Sequence, residues 1–205
     1  MAIDGDAVSA RWNHNLHYHP LVLDALQPTC RDGLDVGCGE GMLTRELAER
    51  LDHVVGIDLD QPSIGLARSR EGTSGVQYVL GDFMTHPFQP ASFDAIVSIA
   101  ALHHMDPGPA LARMRSLLRP GGRLAVVGLA RSRPVDLPLD GAGLLADQYF
   151  KRSRTYWDHS APTVWPPPHT YGQIRQVARE VLPGVRYRRH VMFRYSLVWT
   201  KPRDD

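Results

Sequence analysis

The segment Gly37-Cys38-Gly39-Glu40-Gly41 places three glycines in five residues, between an apolar run and an amphipathic stretch. Glycines at that spacing let backbone come close to a ligand, because no Cβ stands in the way. A nucleoside-triphosphate loop would end in Gly-Lys followed by Ser or Thr, and none is present. A dinucleotide fingerprint would need glycine at position 42, where the chain has Met42. Glu40 puts an anion where a pyrophosphate would meet the helix N-terminus, which disfavours a polyphosphate and tolerates a ligand with a cationic part. Asp58 follows at the separation at which an acidic residue meets a ribose diol. It precedes a helix, so a turn or capping role is the alternative. In Gly81-Asp82-Phe83 a carboxylate is set to accept from an exocyclic amine, and Phe83 to flank a flat ring. His103 and His104 bring groups that exchange protons near neutrality.

Other residues carry weaker chemistry. His14, His17 and His19 lie close together around Tyr18, yet no acidic or cysteine partner is near in sequence, and no metal site is expected. Cys30 and Cys38 form no CxxC pair, so neither a zinc site nor a disulfide framework is indicated. Tyr149, Phe150, Tyr156, Trp157, His159, Trp165 and His169 fall in one stretch, where aromatics either wall a substrate pocket or form the stretch's own small core. Arg152, Arg154, Arg186, Arg188, Arg189 and Arg194 make the later part of the chain basic. Alternation along strands splits such arginines between faces, which reads as a solvated surface, or as a means to attract an acidic substrate, rather than as an RNA-binding face.

These residues sit at the ends of a repeating strand and helix pattern. Apolar strands are expected at Gly33–Gly37, His53–Asp58, Val76–Leu80, Phe93–Ile99 and Arg123–Leu129. Leu43, Leu47 and Leu51 recur every four residues, and Ile64, Leu66 and Ala67 follow Pro62, as helices would have them. Pro109 opens another helix carrying Leu111, Met114, Leu117 and Leu118, and Arg119-Pro120-Gly121-Gly122 reads as a stop and turn. Strand and helix alternating at this spacing imply a parallel sheet with right-handed crossovers, whose ligands lie beyond the carboxyl ends of the strands. The pattern breaks between Ala130 and Thr170, which reads as irregular. A last helix then covers Thr170–Gly184, followed by an antiparallel strand pair with Tyr195, Leu197 and Trp199 on one face.

The 205 residues suit one domain with an ample core. A net charge of +1 supplies no global field toward nucleic acid or anionic lipid. No run approaches a membrane span, and the first residues lack an apolar signal core. A cytoplasmic protein, monomer or homodimer, is the expectation.

Five segments in order, "LDVGCGEG", "GIDLDQPSIGLAR", "GDF", "FDAIVSIAALHHM" and "LLRPGGRL", resemble the class I S-adenosylmethionine-dependent methyltransferases of the small-molecule kind called type 11. The resemblance implies an α/β fold: a Rossmann-like doubly wound seven-stranded sheet, mostly parallel, with an antiparallel last strand inserted between strands five and six and helices on both faces. It implies a single domain over 1–205, with an N-terminal cap (1–30), a cofactor core (31–130), a lid or substrate-pocket insertion (131–170) and a closing helix and strand pair (171–205). It implies S-adenosylmethionine as cofactor, with S-adenosylhomocysteine as product. The turn of Gly37, Cys38, Gly39 and Gly41 would face its methionine half, and Asp35 would orient the amino group. Asp58 would accept from the ribose hydroxyls, and Leu59 would pack on adenine. Asp82 would accept from the adenine amine, and the Phe83 backbone would donate to the ring. Ser98 and Ile99 would line the methionine side, and Tyr18 would donate to the methionine carboxylate.

A sulfonium methyl is already activated, so the protein must align an acceptor and exclude water. A hydroxyl acceptor also has to lose a proton, and His103 and His104 are the candidate bases, with packing as the alternative role. The expected acceptor is a small planar or apolar molecule taking methyl on O or N. Methylation of RNA or protein, a cofactor-binding domain without turnover, and a nicotinamide oxidoreductase are the competing readings.

Overall fold

The structure is a computed structural model that describes residues 11–70, 74–153, 155–156 and 165–203. The strands are β1 (Arg11–Trp12), β2 (Asp32–Val36), β3 (His53–Asp58), β4 (Val76–Leu80), β5 (Phe93–Ile99), β6 (Leu118–Leu129), β7 (Thr155–Tyr156), β8 (Arg186–His190) and β9 (Arg194–Thr200). The helices are α1 (His19–Asp24), α2 (Met42–Ala48), α3 (Gln61–Ser69), α4 (Pro107–Leu117), α5 (Leu137–Ser153) and α6 (Tyr171–Val181). β1 and β7 form a small parallel pair, and the other seven strands make one sheet in the order β4-β3-β2-β5-β6-β9-β8.

The first five strands of that sheet run parallel, and β9 is antiparallel to both β6 and β8. The reversed strand therefore lies inside the sheet, as the sequence resemblance implied. Alternation along the strands supplies two cores. Leu34, Val36, Ile96, Leu124, Val126, Leu197 and Trp199 pack on one face with α4 and α6, through Leu111, Met114, Ile174 and Ala178. Ala95, Val97, Ala125 and Val127 pack on the other with α1 and α2, through Val22, Leu23, Leu43 and Leu47.

Local chemistry sets the helix starts. Asp60 caps α3 by accepting from Ser63 N–H at 3.0 Å, with Pro62 in the first turn. Thr170 and Gln173 form a capping box on α6. Gly41 opens α2 in the left-handed region at φ 73°.

Two expectations change. Arg119-Pro120-Gly121-Gly122 does not separate α4 from a strand beginning at Arg123; it lies within β6 as a bulge, where the partner of β5 jumps from Leu118 to Arg123. Gly121 takes φ +81° there, and Lys201 Nζ donates to the carbonyls of Arg115 and Leu118 at 3.2 and 3.1 Å. The stretch read as irregular contains the 17-residue helix α5. Arg154, Trp157 and His159 lie outside the described residues.

Candidate functional site

The carboxyl ends of β2 to β6 meet the N-terminal segment and the start of β9 around one cavity of about 630 Å³. The glycine turn forms its floor. Gly37 N–H and Cys38 N–H donate to Ile57 O at 2.9 and 3.2 Å, which ties the turn to the end of β3. Gly37, Gly39 and Gly41 all have positive φ. A Cβ on Gly37 would collide with Ala101, and one on Gly41 with the Tyr78 ring. A Cβ on Gly39 would meet no protein atom within 4 Å, so at this position bare backbone borders open space.

Asp58 organises the wall. Its carboxylate accepts from Gly39 N–H at 2.8 Å and from Asp60 N–H at 2.9 Å. Asp60, not Asp58, is the helix cap; Asp58 holds the turn before it through the Asp60 N–H while also lining the cavity. Asp82 accepts from Met84 N–H at 2.8 Å and lines the same cavity from the end of β4. Leu59 lies between Asp58 and Asp60 with 69% of its surface exposed, an apolar patch on the rim. Asp35 is buried and accepts from Thr44 Oγ1 at 2.7 Å. Burial pushes its carboxyl up to about 6, against the opposing pull of the Thr44 hydrogen bond and of His19. Cys38 also lines the cavity, and burial followed by the carboxylates of Asp35 and Asp58 raises its thiol, so it stays protonated and inert.

His103 and His104 follow β5 in a 3₁₀ turn with ring centroids 4.1 Å apart, and both line the cavity. Burial, then His104 and then Arg194, push His103 down to about 4, and its Nδ1 is buried without a hydrogen-bond partner. Burial also lowers His104, opposed by the charge of Asp58. Both imidazoles are therefore neutral near pH 7, and burial weakens both as proton acceptors.

Several sequence assignments need correction. Tyr18 does not reach the cavity: its hydroxyl donates to Val191 O at 2.7 Å and its ring is buried. The same segment lines the cavity instead through Asn13, Asn15, Leu16 and His19. Ser98 is fully buried, donates to Val36 O at 2.9 Å, and does not line the cavity, whereas its neighbour Ile99 does. Phe83 lines the cavity, but its ring is core, 4% exposed, with the Arg113 guanidinium 5.4 Å from its centroid, so the ring does not flank a ligand. Glu40 is paired with Arg70 at 2.8 Å, so its charge is balanced within the protein. The three N-terminal histidines are committed separately: His14 to Asp147 at 2.7 Å, His19 to Glu46 at 2.9 Å, and His17 by ring contact with Trp12 and Phe150. Among the described residues no cluster of three or more His, Cys, Asp or Glu is placed to hold a metal ion, and no helix is long and apolar enough to cross a membrane.

The aromatic stretch divides. Trp165 lines the cavity, while Phe150 stacks on Trp12 of the N-terminal segment at 5.1 Å, and Tyr149 faces away, 66% exposed. Of the late arginines, Arg186 and Arg188 are exposed, and Arg189 pairs with Asp136 at 2.6 Å. Arg194 departs from the solvated reading altogether. It is 7% exposed and forms part of the cavity wall. Its Nη2 donates to Asn15 Oδ1 at 2.9 Å and its Nη1 to Met192 O at 3.2 Å.

A doubly wound sheet with its ligand cavity at the strand ends defines the class of domain. The comparisons with known proteins define the family. The family described as "Methyltransferase domain" matches residues 34–126. An uncharacterized methyltransferase of Mycobacterium tuberculosis is 39% identical over 193 residues, covering 93% of this chain and 98% of that protein. A ubiquinone biosynthesis O-methyltransferase of Aeromonas salmonicida is 36% identical over 103 residues, 48% of this chain and 43% of that protein. Among solved structures, one from Listeria monocytogenes described as an S-adenosylmethionine-dependent methyltransferase has a TM-score of 0.63 at 17% identity, covering 91% of this chain and 97% of that one. The chain belongs to the methyltransferase family.

Proposed function

We propose that the cavity binds S-adenosylmethionine along the ends of β2, β3 and β4, and that the protein methylates a small-molecule acceptor on O or N. The observation that carries this reading is the Gly39 backbone, open to the cavity and held by Asp58. A left-handed glycine with space where its Cβ would be, beside a carboxylate fixed by two backbone N–H groups, suits close approach of a ribose and its amino-acid substituent. Asp82 and the exposed Leu59 supply an acceptor and an apolar face for a purine, and buried Asp35 suits the cationic end of an amino acid. S-adenosylmethionine supplies a methyl group already activated on a sulfonium sulfur.

The chain's own contribution is alignment, dryness and proton removal. Leu129, Met105 and Trp165 supply apolar wall on the acceptor side. His103 and His104 supply neutral imidazoles beside it, one of which takes the acceptor's proton. The O-methyltransferase relative from Aeromonas salmonicida supports an O acceptor, over the half of the chain that it matches.

Calorimetric titration with S-adenosylmethionine, S-adenosylhomocysteine and NADH tests the reading. Binding of the two sulfur nucleosides without NADH is expected. Asp58→Ala is expected to weaken S-adenosylhomocysteine by about 10-fold to 100-fold through loss of charge-assisted hydrogen bonds, with the circular dichroism spectrum retained. Unchanged affinity in that variant overturns the role of Asp58.

A further inference from the structure

The charges around the cavity are sorted. Asp35, Glu40, Asp58, Asp60 and Asp82 all belong to the ends of β2, β3 and β4 or the turns that follow them. Arg194 is the one lysine or arginine among the described residues that line the cavity. It sits at the start of β9, paired with Leu129 at the end of β6. From β3 the sheet passes β2, β5 and β6 before reaching β9. Four steps at a strand spacing of ~4.8 Å put the two ends of the cavity roughly 19 Å apart at the backbone. The histidine pair lies between and feels both ends: His104 is within electrostatic reach of Asp58, and His103 of Arg194.

We infer that the methyl acceptor carries a carboxylate, and that Arg194 receives it at the β9 end of the cavity. The inference deepens the proposed function and rests on it. A guanidinium keeps its charge when buried, and it has five N–H donors in a planar fork that matches a carboxylate. The contacts to Asn15 and Met192 set the orientation of that fork, and the acceptor's anion is an added partner to those that already hold it. One cation suits one negative charge, which favours a carboxylate over a phosphate dianion. No carboxylate among the described residues lies on this side of the cavity wall to repel it. Beside Arg194 the wall offers the amides of Asn13 and Asn15 and apolar surface from Leu16, Leu129 and Trp165, so the rest of the acceptor is a ring or chain without further charge.

The test uses the full chain saturated with S-adenosylhomocysteine. It is titrated with benzoate, 4-hydroxybenzoate, 4-aminobenzoate and hexanoate, and with the primary amide of each. Tighter binding of at least one carboxylate than of its amide, by about 30-fold, is expected from a desolvated charge pair. Arg194→Gln is expected to erase that preference and Arg194→Lys to keep part of it, with S-adenosylhomocysteine affinity unchanged in both. The inference is overturned if no carboxylate outbinds its amide, or if the preference survives in Arg194→Gln. It is also overturned if Arg194→Gln weakens S-adenosylhomocysteine about as much as Asp58→Ala does, since Arg194 would then serve the cofactor's own carboxylate. Failure of the wild-type protein to bind S-adenosylhomocysteine overturns the proposed function itself, and this inference with it.

Discussion

The two sides of the cavity are built by different means. On the side of β2, β3 and β4, each group belongs to a strand end or the turn that follows it, and the backbone does much of the work: glycines in the left-handed region, and N–H groups collected by Asp58 and Asp82. On the other side, side chains from 13–19, 103–105, 129, 165 and 194 converge from distant parts of the chain. A side made of local turns tolerates little change in residue type, because each turn has its own conformational demand. A side made of converging side chains is free to change its chemistry while the sheet stays the same. The contrast separates where a shared cofactor would bind from where an individual acceptor would.

The largest effect is expected at the turn. Gly37→Val places a branched side chain at φ +74° and against Ala101, and should cost about 3 kcal/mol or more, read as a lower denaturation midpoint. Gly39→Ala sharpens the point. Its Cβ meets no protein, so the expected cost is only about 1–2 kcal/mol for the left-handed backbone, yet S-adenosylhomocysteine binding should be lost. A variant that folds and still binds normally would place the ligand elsewhere.

Next in size is the histidine pair. Alanine at whichever of His103 and His104 acts as base should lower kcat by about 100-fold and leave S-adenosylhomocysteine affinity nearly intact, while the other variant loses far less. Steady-state rates and calorimetry on both variants decide between them.

The two sides should also titrate in opposite senses. Asp35 is raised to about 6, so the folded chain holds a proton that the unfolded chain has released, and its contribution to stability falls as pH rises from about 4 to about 6. His103 is lowered to about 4, so the unfolded chain takes up the proton first, and stability falls as pH drops from about 6.5 to about 4. Asp35→Asn should therefore gain on the wild type by about 2 kcal/mol between pH 4 and pH 7 in urea unfolding. A constant difference across that range would mean that Asp35 titrates normally.

Smallest is Tyr18→Phe. Loss of the hydrogen bond to Val191 should cost about 1 kcal/mol in stability and nothing in cofactor affinity.

The same division explains what the sequence reveals. The turn, Asp58 and Asp82 are legible because a strand, a tight turn and a helix start leave marks within a few residues, and the five parallel strands are legible for the same reason. The β9 alternation of Tyr195, Leu197 and Trp199 was equally clear, and all three pack on one face. Arg194 was not legible, because on composition it belongs with its exposed neighbours Arg186 and Arg188. Its burial follows from β9 lying between β6 and β8, a long-range pairing without a local signature. Tyr18 and Ser98 were placed correctly by segment and misplaced by side chain. In each the hydroxyl answers a nearby carbonyl, which spacing alone does not report. The helix α5 was hidden by its flanks, whose prolines and aromatics dominate the stretch.

The insertion of β9 between β6 and β8 also sets an order of assembly. Every described strand of the sheet other than β9 is synthesised before it. Until Arg194–Thr200 has emerged from the ribosome, β6 presents a long, apolar, unpaired edge of the kind that draws other chains into aggregates. The nascent chain thus carries a completed glycine turn well before it has a closed sheet, and its period of greatest exposure ends only with the strand that brings in Arg194.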